Sequence, residues 1–209
     1  MKRLLPRRTK VGHTGTLDPL ASGLLVLLVG RATRLSRYVT GLDKTYVATA
    51  RFGAASDTLD ADGEILENAG PVPDEAELRR ALPRFVGEIR QLPPMASAVR
   101  VGGRRLYELH RRGVEVEREP RLVRVHSLEL LSFDPPAATF AVSCSSGTYV
   151  RTLISDLAAS LGTAAYLTAL RRTRVGHLRV EDALPPQDLD PSTIHHRIIP
   201  PSGVLAHLP

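Results

Sequence analysis

The chain has 209 residues, 43% of them hydrophobic, which is enough for one sizeable core and too apolar for a disordered tail. Lys+Arg 28 against Asp+Glu 22 gives a formal net charge of +6 and a pI near 10.0, which suits a polyanionic partner such as nucleic acid. Cys144 is the only cysteine, which excludes an intrachain disulfide and a thiolate-rich zinc site and fits a reducing cytosol.

The basic start MKRLLPRR and the apolar run 24–29 are separated by a polar stretch and Asp18, so they do not make a signal peptide. The run is too short to span a bilayer and reads as a buried strand or core helix, with no membrane partner expected. Residues 31–40 carry Ala32, Leu35, Tyr38 and Val39 at roughly helical spacing and end at Gly41. In KTYVATARFG, 44–53, Tyr46, Ala48, Ala50 and Phe52 alternate with Val47, Thr49 and Arg51, a strand pattern, and SDTLDADGEI follows as an acidic turn.

PDEAELRRALPRFVGEI predicts a helix with Asp74 as N-cap and Leu78, Ala81, Leu82, Phe85 and Val86 inward, kinked or shortened by Pro83. Segments 122–133 and 138–146 read as strands around a Pro135-Pro136 turn. TYVRTLISDLAASLG is the cleanest helix, with Val150, Leu153, Ile154, Leu157, Ala158 and Leu161 in one stripe and Gly162 beyond its end. Strands joined by turns as well as by helices predict an α+β fold, a mixed sheet with flanking helices, rather than a doubly wound one.

Between the predicted helix and the strand at 122 lies an arginine-rich insertion, about 93–121. There and just beyond, Arg100, Arg104, Arg105, Arg111, Arg112, Arg118, Arg121 and Arg124 interleave with Tyr107 and His110. Charge runs are usually solvated faces. Here arginine is used almost to the exclusion of lysine, of which the chain has three, and that suits phosphate forks and base stacking.

The densest polar stretch is GHTGTLDPLASG, 12–23. An isolated Asp-Pro ahead of an apolar segment most often caps a helix. Around Asp18, however, Gly12, Gly15 and Gly23 permit close approach of a ligand, and His13, Thr14 and Thr16 crowd in donors. A lone carboxylate acts as a nucleophile if a nearby cation keeps it ionised. Arg151, at the start of the strong helix, is one candidate, although the residues alone favour an exposed helix arginine. His13 has no second ligand at metal spacing, so no metal is expected.

Five blocks in order, VGHTGTLDPLASGLLVLLVGRATRLSRY, DKTYVATARFGAASDTLDADGE, QLPPMASAVRVGGRRLYELHRRG, CSSGTYVRTLISDLAASLG and AYLTALRRTRVG, resemble the TruB family of tRNA pseudouridine synthases from about residue 7 to about 180. The resemblance implies the pseudouridine synthase catalytic fold over 1–180, with a linker or tail over 181–209. It also implies isomerisation of uridine 55 in the tRNA T loop without metal or organic cofactor, in the cytoplasm, by a monomer with no obligate protein partner. By resemblance Asp18 is catalytic, His13 displaces the target base, Tyr46 stacks on the flipped uracil, Tyr149 and Arg151 line the pocket with Arg151 pairing the carboxylate, and Leu170 closes the apolar side.

The family's K-P-x-G-x-T-S segment has no counterpart before Gly12, and the tail ends before a complete PUA-type appendage, so a shortened chain is expected. Two other readings compete. A non-catalytic RNA-binding or tRNA-folding protein would keep the surface without turnover, and a glycoside hydrolase would pair Asp18 with Asp57, Asp60 or Asp62, whose spacing suggests a loop instead.

Overall fold

A computed structural model of the chain describes residues 4–205, so the first residues of the basic start and the last four of the tail lie outside the described residues. In chain order come β1 (Val11–His13), β2 (Ala21–Gly23), β3 (Leu27–Val29), α1 (Ser36–Thr40), β4 (Lys44–Phe52), β5 (Ala55–Ser56) and β6 (Ile65–Leu66). They are followed by α2 (Glu75–Ala81), β7 (Gly87–Gln91), β8 (Arg100–Val101), β9 (Arg104–Arg105) and α3 (Leu106–His110). The rest is β10 (Arg121–Asp134), β11 (Ala137–Cys144), α4 (Val150–Ser160), β12 (Ala165–Val175), β13 (Leu178–Arg179) and α5 (Pro201–Leu205).

The main sheet runs β13-β12-β4-β11-β10-β7, antiparallel throughout, and becomes mixed where β2 joins β12 in parallel. The expected α+β architecture holds. Along β4 the even positions from Lys44 to Phe52 are buried and the odd ones half-buried, the alternation the sequence predicts. Pro135 and Pro136 form the two-residue turn between β10 and β11. α4 lays Leu153, Ile154 and Leu157, all fully buried, onto the sheet, where they meet Phe52, Phe140 and Leu78 from α2 in one core. Gly162, just past the C-cap of α4, has a φ of 72°, which suits glycine.

Two expectations change and one open alternative is decided. The helix expected over 73–89 ends at Ala81: a single turn of 3-10 helix across Pro83 follows, and Gly87–Gln91 is an edge strand paired with β10. Proline removes the i to i−4 bond that would have carried the helix on. Asp74 does cap α2, in a reciprocal box with Glu77. Residues 30–35 form a 3-10 helix that becomes regular only in α1. Of strand and core helix, the two readings of 24–29, the strand holds over Leu27–Val29 as β3, whose Leu28 packs with Leu24, Val39, Val175 and Val204 in a second small core, so the tail folds back on the body.

Candidate active site

The loop from Thr14 to Leu20 connects β1 to β2, and Asp18 sits in it without capping any helix. The Ala21 N–H donates to the Asp18 carbonyl at 2.9 Å, closing a turn with Pro19 at its second position, and the chain enters β2 instead. Both ends of the loop are tied to Arg172, which is 2% exposed. Its Nε donates to the Leu24 carbonyl at 2.8 Å and its Nη2 to the Gly15 carbonyl at 3.2 Å, while the Leu24 N–H donates back to the Arg172 carbonyl at 2.8 Å. Gly23, at φ 96°, is required there because a Cβ would stand 2.3 Å from the Arg172 carbonyl oxygen.

Arg151 is not the exposed helix arginine that the residues alone favour; it pairs with Asp18, as the resemblance implies. It is 3% exposed, in the first turn of α4, and its guanidinium joins three loops. Nη2 donates to Asp18 Oδ1 at 3.0 Å and to the Ala96 carbonyl at 2.9 Å, and Nη1 donates to the Thr58 carbonyl at 2.9 Å and to Asp60 Oδ2 at 3.1 Å. Nε lies 3.0 Å from Asp18 Oδ2 but is not aligned for a hydrogen bond. A guanidinium beside a helix N-terminus is exposed unless carboxylates meet it, and two do.

The second carboxylate is Asp60, which the sequence offered only as a glycosidase-type partner of Asp18 and set aside as a loop residue; it pairs with Arg151. It belongs to the acidic loop between β5 and β6, as its spacing suggested, yet its side chain is 3% exposed. Thr58 Oγ1 donates to its Oδ1 at 2.6 Å and the Asp62 N–H at 3.1 Å, so its oxygens are already engaged and unlike those of a glycosidase partner. The signal was the pair of small hydroxyls, Ser56 and Thr58, placed to bond the Asp60 turn.

Asp18 keeps about a third of its side chain open to the cleft. Burial pushes its carboxyl up from the ordinary value; Arg151 opposes that push and the Asp60 charge adds to it. Tyr46, 9% exposed on β4, faces Arg172 across the β4–β12 register, and burial pushes its phenol up as well. A register irregularity between Leu167 and Ala169 re-aims β12 so that Leu170 and Arg172 both turn inward. Tyr149 is half-buried at the N-cap of α4, where the Gln91 side-chain amide both accepts from its N–H at 3.0 Å and donates to its carbonyl at 3.2 Å. Gln91, 1% exposed, is a residue the sequence did not single out.

His13, Asp18, Tyr46, Tyr149, Arg151 and Leu170 all line one cleft of about 1450 Å³. That exceeds the roughly 300–1,000 Å³ of small-ligand pockets. His13 is exposed at its rim. The opposite rim is the insertion: Arg100, Arg105 and Arg111 line the cleft, the guanidiniums of Arg105 and Arg111 lie 5.8 and 5.6 Å from the Tyr107 ring centre, and His110 Nε2 stands 3.3 Å from Asp57 Oδ2 on the acidic loop. Arg118 does not face outward, because it donates to the Pro93 carbonyl at 3.0 Å and fastens the insertion's base. Among the described residues no group of three or more His, Cys, Asp or Glu is arranged for a metal, and no helix is long and apolar enough to cross a membrane.

The family described as TruB family pseudouridylate synthase (N terminal domain) matches residues 2–150. The tRNA pseudouridine synthase B of Burkholderia mallei (strain NCTC 10247) is 49% identical over 211 residues, covering 100% of this chain and 70% of that protein. That of Symbiobacterium thermophilum is 50% identical over 208 residues, covering 96% of this chain and 68% of the relative. Among solved structures, a Cbf5-Nop10-Gar1 complex superposes with a TM-score of 0.65 at 31% identity over 86% of this chain and 45% of that one. A structure of H/ACA RNP bound to a substrate RNA containing 2'-deoxyuridine gives 0.62 at 27% identity, over 93% of this chain and 48% of the other. A match over most of the chain, relatives near half identity and a shared fold lead to one statement: this chain belongs to the TruB family of pseudouridylate synthases.

Proposed function

We propose that the chain isomerises uridine 55 in the T loop of tRNA to pseudouridine, with Asp18 as the acting carboxylate and no metal or organic cofactor. The observation that carries this reading is the pairing of Asp18 with Arg151 at 3.0 Å beneath a cleft closed on its inner side by Tyr46 and Leu170. The B. mallei and S. thermophilum relatives bear the name tRNA pseudouridine synthase B. The catalytic unit spans about 1–180, with the insertion near 93–121 contacting tRNA and 181–209 as a tail.

A stacked base cannot be isomerised, so the uridine is flipped out at a cost of a few kcal/mol, of which stacking on Tyr46 returns about 1–3 kcal/mol. His13 at the rim occupies the place the displaced base leaves. In the cleft the N1–C1′ bond breaks, the uracil turns, C5 bonds to C1′, N1 takes up a proton, and the C5 proton leaves to solvent. Asp18 attacks C1′ as in a retaining glycosidase, adds to the base, or assists loss of a sugar proton; all three routes need it ionised. Arg151 keeps it so against the burial that favours the neutral acid. Burial raises the Tyr46 pKa, so it enters as the neutral phenol, and the C5 proton leaves to Tyr46 or directly to solvent.

The test is tritium release from tRNA labelled at uridine C5. The wild-type chain is expected to release label in the presence of chelator, and Asp18→Asn to bind tRNA without release. Binding without release by the wild type would instead favour an RNA-binding protein without turnover.

A further inference from the structure

We infer that a second cationic surface, the row Arg31, Arg34 and Arg37 with Tyr38, takes the phosphates of the RNA strand that leads away from the target loop. The inference rests on the tRNA reading above and adds a contact surface to it.

The row follows from local geometry. In a 3-10 helix residues three apart eclipse one another, so Arg31 and Arg34 share one edge, about 6 Å apart along the axis. Arg37, three further on in the first turn of α1, continues that edge. The other side is fixed: Val39 is fully buried in the second core, Thr33 packs beside Gly12 of β1, and the Gly30 N–H donates to the Lys10 carbonyl at 2.8 Å. The three arginines are thus held outward by a rigid support.

Like charges at this spacing repel, and among the described residues no carboxylate pairs with any of the three. Arg37 instead lies over the ring of Tyr38, 4.6 Å from its centre, and Tyr38 is 45% exposed. An outward guanidinium stacked on an exposed aromatic is a ready platform for a phosphate and its base. Position decides that this surface serves the cleft. Thr40, at the end of α1, lines the cleft itself, and Gly12, beside Thr33, precedes His13 at the rim. Exposed Arg80, Arg84 and Arg90 are equally unpaired, but they lie on α2, the turn after it and β7, which contribute no residue to the cleft lining, whereas α1, which carries Arg37, contributes Thr40. A lipid surface fits less well, because Val39 lies in the second core, Ala32 and Leu35 are half-buried, and Tyr38 is left as the exposed large apolar side chain of 30–40 to insert.

Fluorescence anisotropy of labelled tRNA over a series of KCl concentrations tests this with four proteins. Replacing Arg31, Arg34 and Arg37 together by Gln is expected to weaken Kd about tenfold at low salt. It should also reduce the slope of log K against log salt by about 2 to 3, the release expected for three phosphate contacts. The same positions replaced by Lys keep the wild-type slope. Arg80→Gln, Arg84→Gln and Arg90→Gln combined remove equal charge and leave the slope near wild type. An unchanged slope in the first variant, an equal loss in the control, or failure of Lys to restore it would overturn the inference while the wild type still binds and releases tritium. Loss of binding to phosphatidylserine vesicles with RNA affinity intact would overturn it in favour of a membrane surface. A wild-type chain that neither binds tRNA nor releases tritium removes the functional reading and this inference together.

Discussion

On the floor of the cleft Arg151 is 3% exposed and directs four hydrogen bonds to three loops and a second carboxylate. On its lip Arg100, Arg104, Arg111 and Arg112 are exposed and no carboxylate pairs with them among the described residues. The same side chain therefore does two jobs in one cleft. Buried and saturated, it holds the Asp18 carboxylate in one place, as the proposed reaction requires of its acting group. Exposed and unpaired, it would supply long-range attraction to the proposed RNA substrate. The contrast predicts that substitutions on the floor act on stability, kcat and pH profile, whereas those on the lip act on Kd and salt dependence.

The strongest way to break that contrast is Arg151→Met. It strands Asp18 and Asp60 together without a cation, and breaking a buried pair costs about 3–5 kcal/mol. Urea unfolding should register that loss, and tritium release should disappear; retention of both would mean that Arg151 is not the floor's organising cation. Next is the acid limb of kcat/KM. Because burial raises the Asp18 pKa, the neutral acid accumulates as pH falls through a value above the ordinary 3.8, and activity is lost on that side. Asp60→Asn removes a charge that pushes the same way, so the limb should move to lower pH. A limb that stays put would disconnect Asp60 from Asp18.

On the lip, replacing Arg100, Arg104, Arg105, Arg111 and Arg112 by Gln should flatten the salt slope by up to about 4 at ~0.7–0.9 per phosphate contact. The stability change should stay within about 0.5 kcal/mol for each exposed position. Unchanged binding would return the lip to the status of a solvated face.

The two regions also differ in how far a reader of the sequence could see them. Periodicity placed β4, β10, β11 and α4 and so fixed the face that carries Tyr46, because one-dimensional alternation reports burial against a sheet directly. It failed at 87–91, where the helical spacing of Phe85, Val86 and Ile89 carries across a proline, and it gave no reading of β12, whose two register irregularities break the alternation. The motif blocks brought Asp18, Arg151 and Leu170 to the site in order. What remained hidden is the set of residues whose role exists only through a distant partner. Asp60 is 91 positions from Arg151 and Gln91 is 58 from Tyr149, and neither pairing leaves a local pattern.

The smallest expected effect comes from a third buried cation of the floor, beside Arg151 and Arg172. Lys44, 7% exposed, donates to the carbonyls of Thr40 and Leu42 at 2.7 and 2.6 Å, and burial together with the Arg172 charge pushes its pKa down from 10.5 to about 8. Below about 8 it is protonated in both folded and unfolded chains and adds no pH dependence. Between about 8 and 10.5 the folded chain has shed the proton that the unfolded chain still holds, so stability rises with pH across that window. Lys44→Met fills similar space without a titrating group. Its stability is offset at every pH by the two carbonyls left without a donor, but the rise between about 8 and 10.5 should be absent. Urea midpoints measured through that window for both proteins decide the matter. Parallel curves would mean that Lys44 keeps its proton in the fold, held by its two carbonyls more strongly than burial expels it, and that the floor tolerates a buried charge at Lys44 as it does at Arg151.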